Sequence, residues 1–331
     1  MEMKVQSVYV EVLNKCNMHC SYCYNNSSKD NLSQMDMGEF FKIIELMKKY
    51  ECTNIWISGG EPFLHPNIKD IIKICGDNCL NLGIATNGSC VANFITDICE
   101  SNPSMQISID STDRYLNDKY RGEKAFESAM KAVEALNNSS YSGMISIKST
   151  LYDENSNSNS INDMIKFCEK NHINDVFFSP CFSQGRAENK NFLDKQSISF
   201  DLNIGDSSVN VHYSRPIHTC ELLGDVVNTP LNLRITPAGD VYPCHHLPYM
   251  IFNCFDDVDD FIINESLRGM KHNIEELLSH NINCVSCVCK KVCKGGCPAI
   301  RIHKEKFSDS ICDDIKRDYI NKITKIVDGV N

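Results

Sequence analysis

Apolar and polar positions follow two rhythms between residue 6 and about residue 180. Six short runs are β-rich and apolar: SVYVEVL (7–13), NIWIS (54–58), LNLGIAT (80–86), MQISID (105–110), MISIKSTLY (144–152) and DVFFSP (175–180). They read as buried strands. Between them, MGEFFKIIELMKKY (37–50), HPNIKDIIKIC (65–75), VANFITDICE (91–100), FESAMKAVEAL (126–136) and INDMIKFCEK (161–170) space their apolar residues at helical intervals. Pro66 falls in the first turn of the second of these, where a missing N–H costs nothing. Repeating strand–helix units imply a parallel sheet covered by helices. A closed barrel takes about eight such units. Six fit an open doubly wound sheet or a partial barrel, and periodicity alone does not choose.

Beyond residue 180 the rhythm changes. The Asn/Ser-rich stretch 154–163 is a loop inside the repeats, but from about 185 to 230 the pattern is weak. LNLRITPAGDVYPC (231–244) then reads as two short strands around Pro-Ala-Gly-Asp, a hairpin signal. The acidic residues Asp256, Asp257, Asp259 and Asp260 read as a solvated loop, followed by a helix near 274–279. A dense cysteine region (284–297) and a helical tail end the chain.

Composition narrows the classes. The chain has 331 residues, 42% hydrophobic and 23% charged, which is ordinary for a globular protein with a sizeable core. The net charge of −10, with no basic stripe, argues against a nucleic-acid partner. No apolar run approaches the roughly 20 residues of a membrane span. The N-terminus lacks the basic and apolar regions of a secretion signal. A cytoplasmic, non-membrane protein is expected.

Nineteen cysteines change the picture. Disulfide scaffolds are short and secreted, which this chain does not resemble. Cys52, Cys75, Cys99 and Cys168 fall in helical or strand-like segments and read as small buried apolar residues. Most of the others gather in two groups. Cys16, Cys20 and Cys23 sit in CNMHCSYC directly after the first strand. Three thiolates on one loop can hold three irons of a 4Fe–4S cube and leave the fourth open to a ligand; zinc is the alternative. The second group comprises Cys220, Cys244, Cys284, Cys287, Cys293, Cys297 and Cys312, whose CxxC pair suits zinc as well as iron.

Cx3CxΦC after a first strand, with Tyr22 as its aromatic residue, resembles the signature loop of radical S-adenosylmethionine (SAM) enzymes. Other family marks follow in order, each after a strand. Ser58-Gly59-Gly60-Glu61-Pro62 resembles GGEP, whose glycines admit a close ligand and whose Glu61 can pair with a ligand ammonium. Thr86-Asn87-Gly88 ends the third strand, and Ser108 and Asp110 resemble S-x-D. Arg121, in Tyr120-Arg121-Gly122, stands where a guanidinium could reach the SAM carboxylate. Gln184-Gly185-Arg186-Ala187 resembles a late motif near the adenine. The resemblance covers residues 7 to about 187. It implies a partial (β/α)6 TIM-like barrel with SAM contacts at Tyr22, Gly59, Gly60, Glu61, Asn87, Ser108, Asp110 and Arg121, at strand ends where such folds build their sites.

Gx4C followed by Cx2Cx5Cx3C and a lone late cysteine resembles the SPASM extension of that family. The resemblance implies two auxiliary 4Fe–4S clusters. One takes Cys220, Cys244 and Cys297; the other takes Cys284, Cys287, Cys293 and Cys312. The chain departs from the pattern in having no second cysteine between Cys220 and Cys244. The fourth position of the first auxiliary cluster is open, or filled by Cys289, Cys254, Cys181 or a histidine (His218, His245, His246). The implied organisation is a radical SAM barrel at 1–187, a bridge at 188–219 and a SPASM domain with its C-terminal helix at 220–331.

The implied cofactors are three 4Fe–4S clusters and SAM. The implied activity is maturation of a ribosomally made peptide through a 5′-deoxyadenosyl radical, giving a thioether, another cross-link or an oxidised residue. Formylglycine formation on a sulfatase and dehydrogenation of a small molecule are the alternative activities. The first strand starts near residue 7, so the leader is expected to be bound by a separate protein or the core read directly. A monomer served by a flavodoxin- or ferredoxin-type donor completes the expectation.

Overall fold

The structure, a computed structural model, describes residues 3–188, 207–213, 230–279 and Pro298. One ten-stranded sheet organises these residues. Its strands are β1 (Val5–Glu11), β2 (Asn54–Ser58), β3 (Asn81–Thr86), β4 (Ser104–Ser108), β5 (Ile145–Leu151), β6 (Asp175–Pro180), β7 (Asn210–Tyr213), β8 (Leu231–Ile235), β9 (Asp240–Tyr242) and β10 (Phe252–Asn253). Their order is β10-β9-β8-β1-β2-β3-β4-β5-β6-β7. β1 to β7 run in sequence order and every neighbouring pair is parallel. A doubly wound sheet reverses its order at a switch point. This one does not, which resolves the choice that periodicity left open in favour of barrel-like winding.

The helices are α1 (Met37–Lys49), α2 (Ile68–Asp77), α3 (Ile95–Ser101), α4 (Arg114–Arg121), α5 (Ala125–Asn137), α6 (Ser158–Lys170) and α7 (Asp260–Ser279). α1 starts at a capping box, with Asp36 accepting from Glu39 N and Glu39 from Asp36 N. Its Phe40, Ile43, Ile44 and Met47 are buried, as are Ile68, Ile71, Ile72 and Cys75 of α2. The same core holds Val8, Val10, Ile55, Ile57, Ile84, Met105, Ile107, Ile145, Ile147 and Val176 from alternate strand positions. Cys52, Cys75 and Cys168 belong to this core, whereas Cys99 is only half-buried.

The opposite strand face is polar. It presents Tyr9, Glu11, Trp56, Ser58, Gln106, Ser108, Ser146, Lys148 and Arg234, brought into line by the register of adjacent strands. The sheet curves around this face. The ring of His245, just past β9, packs on Tyr9 of β1 at 4.3 Å and is acted on by the charges of Arg234 on β8 and Lys148 on β5. His246 stacks on Phe182 at 3.7 Å and bonds Gln184 at 3.0 Å, both after β6. The segment after β9 therefore spans the gap between the two sides of the sheet.

Three elements differ from the sequence reading. β7 lies in the weakly patterned stretch and extends the parallel run to a seventh strand. β8, the first strand of the expected hairpin, pairs antiparallel with β9 but also parallel with β1. The described strands thus form one continuous sheet from β8 through β1 to β7. The helix expected near 274–279 starts at Asp260, and Asp259 accepts from Ile262 N at 3.0 Å, so the acidic cluster ends as a helix cap. Cys220, Cys284, Cys287, Cys289, Cys293, Cys297, Cys312 and His218 lie outside the described residues.

Candidate active site

Cys16, Cys20 and Cys23 lie on the loop that leaves β1. Two glycines seat that loop. A Cβ on Gly59 would come within 2.2 Å of Leu13 O, and one on Gly60 within 2.2 Å of Lys15 O. Gly60 N donates to Leu13 O at 2.7 Å and Glu61 N to Lys15 O at 3.0 Å. The close approach that Gly59-Gly60 allows is therefore to the protein's own backbone, directly before Cys16.

The loop is clamped from the other side by the turn after β6. Gly185 has φ 59°, and a Cβ there would sit 2.4 Å from the carbonyls of Cys23 and Tyr24. Arg186 N donates to Cys23 O at 3.0 Å, its Nε to Cys20 O at 2.7 Å and its Nη1 to Ser27 O at 2.7 Å. Sequence reading placed this motif beside an adenine; the structure places Arg186 beneath the cysteine loop. Tyr24 donates to Glu11 Oε1 at 2.8 Å. Glu11 is bound in turn by Arg234 through Nε and Nη2 at 2.8 and 3.0 Å, and Arg234 also donates to Asn25 at 3.2 Å.

The other expected residues gather around the thiols. Asn87 Nδ2 lies 3.8 Å from Cys16 Sγ and donates to Asn17 at 2.9 Å, and Cys20 Sγ lies 3.5 Å from Arg121 O. Glu61 departs from expectation. It is fully buried, with Oε1 accepting from Thr86 Oγ1 at 2.8 Å and Phe63 N at 3.3 Å, and Oε2 from Asn87 N at 2.8 Å. Its carboxylate is satisfied internally, so the backbone of Gly59 and Gly60, not the Glu61 side chain, faces outward here. Burial pushes the Glu61 carboxyl up to about 7, against three hydrogen bonds that pull it down.

Asp110 is likewise buried. Its Oδ1 accepts from Thr150 N at 2.9 Å and Arg121 Nη1 at 3.1 Å, and its Oδ2 accepts from Tyr22 OH. Arg121 also donates to Tyr22 OH at 2.7 Å. The Tyr22–Asp110–Arg121 triangle anchors the aromatic of the cysteine loop, and burial holds the Tyr22 hydroxyl protonated. The Asp110 carboxylate raises the pKa of Arg121 against the opposing effect of burial, so its charge persists. Ser108, half-buried, is the S-x-D member left on the polar face.

Three thiols on one loop are a soft donor set suited to iron–sulfur ligation. Burial, with the charges of Glu61, Cys20 and Cys23, pushes Cys16 up to about 12, and burial also raises Cys20. Without metal these two remain thiols; a cation that displaces their protons relieves the repulsion. Among the described residues no three His, Cys, Asp or Glu side chains converge on a single ion, whereas a cube attaches each thiolate to a different iron. Residues and group fit. Cys244 is half-buried after β9, and Cys254, after β10, has a thiol raised to about 12 by burial.

Residues 10–167 match the radical SAM superfamily. The biosynthesis protein AlbA for the antilisterial bacteriocin subtilosin, from Bacillus subtilis (strain 168), is 21% identical over 348 residues, 96% of this chain and 72% of AlbA. GTP 3′,8-cyclase of Chlorobaculum tepidum is 28% identical over 135 residues, 40% of this chain and 41% of the cyclase. In three dimensions the chain is similar to Streptococcus suis SuiB bound to its precursor peptide SuiA, with TM-score 0.70 and 16% identity, covering 94% of this chain and 76% of SuiB. No described helix is long and apolar enough to cross a membrane.

Proposed function

We propose that this chain, whose residues 10–167 match the radical SAM superfamily, is a peptide maturase that cleaves SAM reductively and takes hydrogen from a ribosomally made peptide. The observation that carries this reading is the three-cysteine loop, pinned from both sides, with the Cys16 thiol beside Asn87 and the Cys20 thiol beside the Arg121 carbonyl. A 4Fe–4S cluster on Cys16, Cys20 and Cys23 would supply the electron that breaks the sulfonium C–S bond. The chain's own residues fix the geometry. Gly59, Gly60, Asn87, Ser108 and the free edge of Arg121 line the place for SAM; Tyr22, Asp110, Glu61 and Arg186 hold those groups in position.

The peptide substrate is favoured over a nucleotide by extent of similarity. The GTP cyclase match is confined to 40% of the chain, whereas the similarities to AlbA and to peptide-bound SuiB reach across 96% and 94%. Seven cysteines, Cys220, Cys244, Cys284, Cys287, Cys293, Cys297 and Cys312, complete the proposal with two auxiliary clusters, the first short of one protein ligand. The product is a cross-link or an oxidised residue.

Anaerobic reconstitution tests the proposal. Reduced protein with SAM and a precursor encoded beside its gene should release 5′-deoxyadenosine and lower the peptide's mass by lost hydrogen. Release of 5′-deoxyadenosine with an unchanged peptide overturns the substrate; no 5′-deoxyadenosine at all overturns the activity. Iron near twelve per chain, falling by about four in a Cys16→Ala/Cys20→Ala/Cys23→Ala variant, would match three cubes of four irons each.

A further inference from the structure

Charge on the inner face of the barrel is nearly all paired. Arg121 meets Asp110 at 3.1 Å, Arg234 meets Glu11 at 2.8 Å and His212 meets Asp175 at 2.6 Å. Glu61 is enclosed by three hydrogen-bond donors. Lys148 is different. It occupies an inner-face position of β5, and among the described residues no carboxylate pairs with it.

Its surroundings define a direction. Register places Ser108 of β4 on one side of Lys148 and Phe177 of β6 on the other. The ammonium passes Phe177 and reaches Ser179 Oγ at 2.5 Å, two residues nearer the C-terminal ends of the strands. Thr150, two residues further along β5, donates to Asp110 of the Tyr22–Arg121 triangle. The ammonium is thus aimed toward the end of the barrel that carries the cysteine loop. From below, Phe177 and His212 stack at 4.3 Å. Across the lumen stand His245 and Arg234; His245 is driven down to about 3 by burial and these two cations, so it is neutral and offers Lys148 no counter-charge. Burial also lowers Lys148 to about 8. An ammonium desolvated with no counter-ion among the described residues is held at a cost, and such groups concentrate at functional sites.

We propose that Lys148 is a substrate-recognition residue whose ammonium pairs with a carboxylate of the bound peptide, from an Asp or Glu side chain or from the peptide's C-terminus. The incoming anion restores the missing partner and fixes the peptide beneath the SAM end of the lumen. This proposal rests on the peptide-substrate reading and adds an acidic feature to it.

The test uses anaerobically reconstituted full-length protein and capped tripeptide probes followed by saturation-transfer NMR. Acetyl-Gly-Glu-Gly-amide represents a side-chain carboxylate and acetyl-Gly-Gly-Gly with a free C-terminus represents a terminal one. Acetyl-Gly-Gln-Gly-amide and acetyl-Gly-Gly-Gly-amide are their neutral twins. At least one acid should bind at least tenfold more tightly than its twin, about 1.4 kcal/mol. The arm that does so identifies the source. Lys148→Met should erase the difference and Lys148→Arg should keep it, with iron content unchanged in both. No discrimination between acids and twins in the wild type, or discrimination that survives in Lys148→Met, overturns the proposal. So does loss of acid binding when SAM alone is added, because Lys148 would then serve the SAM carboxylate. Carboxylate binding without turnover of any peptide would leave this proposal standing and count against the maturase reading instead.

Discussion

The two sides of the barrel mouth are held by different means. Over β1, β2 and β6 the cysteine loop is fixed by backbone: Gly59, Gly60 and Gly185 abut carbonyls, and the amides of residues 60, 61 and 186 donate to the loop. Across β5, β8 and the segment after β9, the lumen is held by side chains: Glu11 on Arg234, His245 on Tyr9, His246 on Phe182, and Lys148 on Ser179. A backbone-built site serves a cofactor that does not change. A side-chain-built site can be altered one residue at a time to fit a substrate. Under the proposed function, cofactor handling and substrate choice are separated in space and in kind of interaction.

The sharpest test of that separation is the buried pair on the side-chain half. Glu11→Ala strands the Arg234 guanidinium, which is only 10% exposed, beside Tyr24 and Asn25. Loss of one partner of a buried ion pair costs about 3–5 kcal/mol. We expect a large drop in the urea midpoint of the apoprotein, and a Glu11→Leu/Arg234→Leu double variant that recovers much of it. A Glu11→Ala midpoint near wild type would break the comparison.

Gly60→Ala probes the backbone half. The added methyl meets Lys15 O at 2.2 Å, where only main chain can yield, so the loop must move. Overpacking of this kind costs about 1–3 kcal/mol. The diagnostic result is cluster content: iron bound through Cys16, Cys20 and Cys23 should fall much further than the urea midpoint. Equal loss of both would mean that the loop is not the local element described above.

How much of this was legible in the sequence follows from the same division. Strand periodicity located β1 to β6 because each strand buries one face in a large core, and NIWIS and DVFFSP matched β2 and β6 to the residue. β7 was missed because NVHY is too short for a pattern. The pairing of β8 with β1 is a long-range contact that no local signal encodes. Gly59, Gly60 and Gly185 stood out as motifs because close backbone approach tolerates no other residue. That they also abut the cysteine loop's own backbone was not legible, since a glycine reports that something approaches and not what. The Glu61 and Asp110 carboxylates were expected to face SAM; both turn inward, because burying a carboxylate requires donors and the neighbouring loops supply them. Lys148 and Arg234 carried no signal, being single cations whose meaning lies in what the fold places, or does not place, beside them.

Arg186 adds side-chain bonds to the backbone-held half, reaching from the turn after β6 to carbonyls on the cysteine loop. Arg186→Gln removes two charge-assisted bonds, to Cys20 and Ser27, each of a kind that contributes roughly 1.5–3 kcal/mol. Most of that loss should be local. Amide exchange across residues 20–28 should accelerate while exchange in β3 and β4 stays unchanged, and iron should be lost faster to a chelator. Uniform acceleration throughout the sheet would instead make Arg186 a global support.

The smallest effect is a slope with pH, and it separates the two halves by titration. Glu61 is raised from 4.5 to about 7 by burial, so the folded apoprotein holds a proton there that the unfolded chain has released. The stability this contributes is fully present below about pH 4.5 and is lost as pH rises through about 7. The steepest fall is about 1.4 kcal/mol per pH unit, from a single proton. Glu61→Gln removes this falling contribution and should turn the apoprotein's stability toward rising with pH between 5 and 7, at the cost of the hydrogen bond from Asn87 N, which an amide NH2 cannot accept. His245 on the side-chain half is already neutral throughout that window, because burial and the cations Arg234 and Lys148 drive it to about 3. The unfolded chain still protonates this imidazole near 6.5, so His245 contributes a slope of the opposite sign, stability that rises with pH up to about 6.5, and a His245→Gln variant should make the fall with pH steeper. If Glu61→Gln leaves the slope unchanged, or His245→Gln flattens the fall instead of steepening it, the electrostatic division between the two halves is wrong.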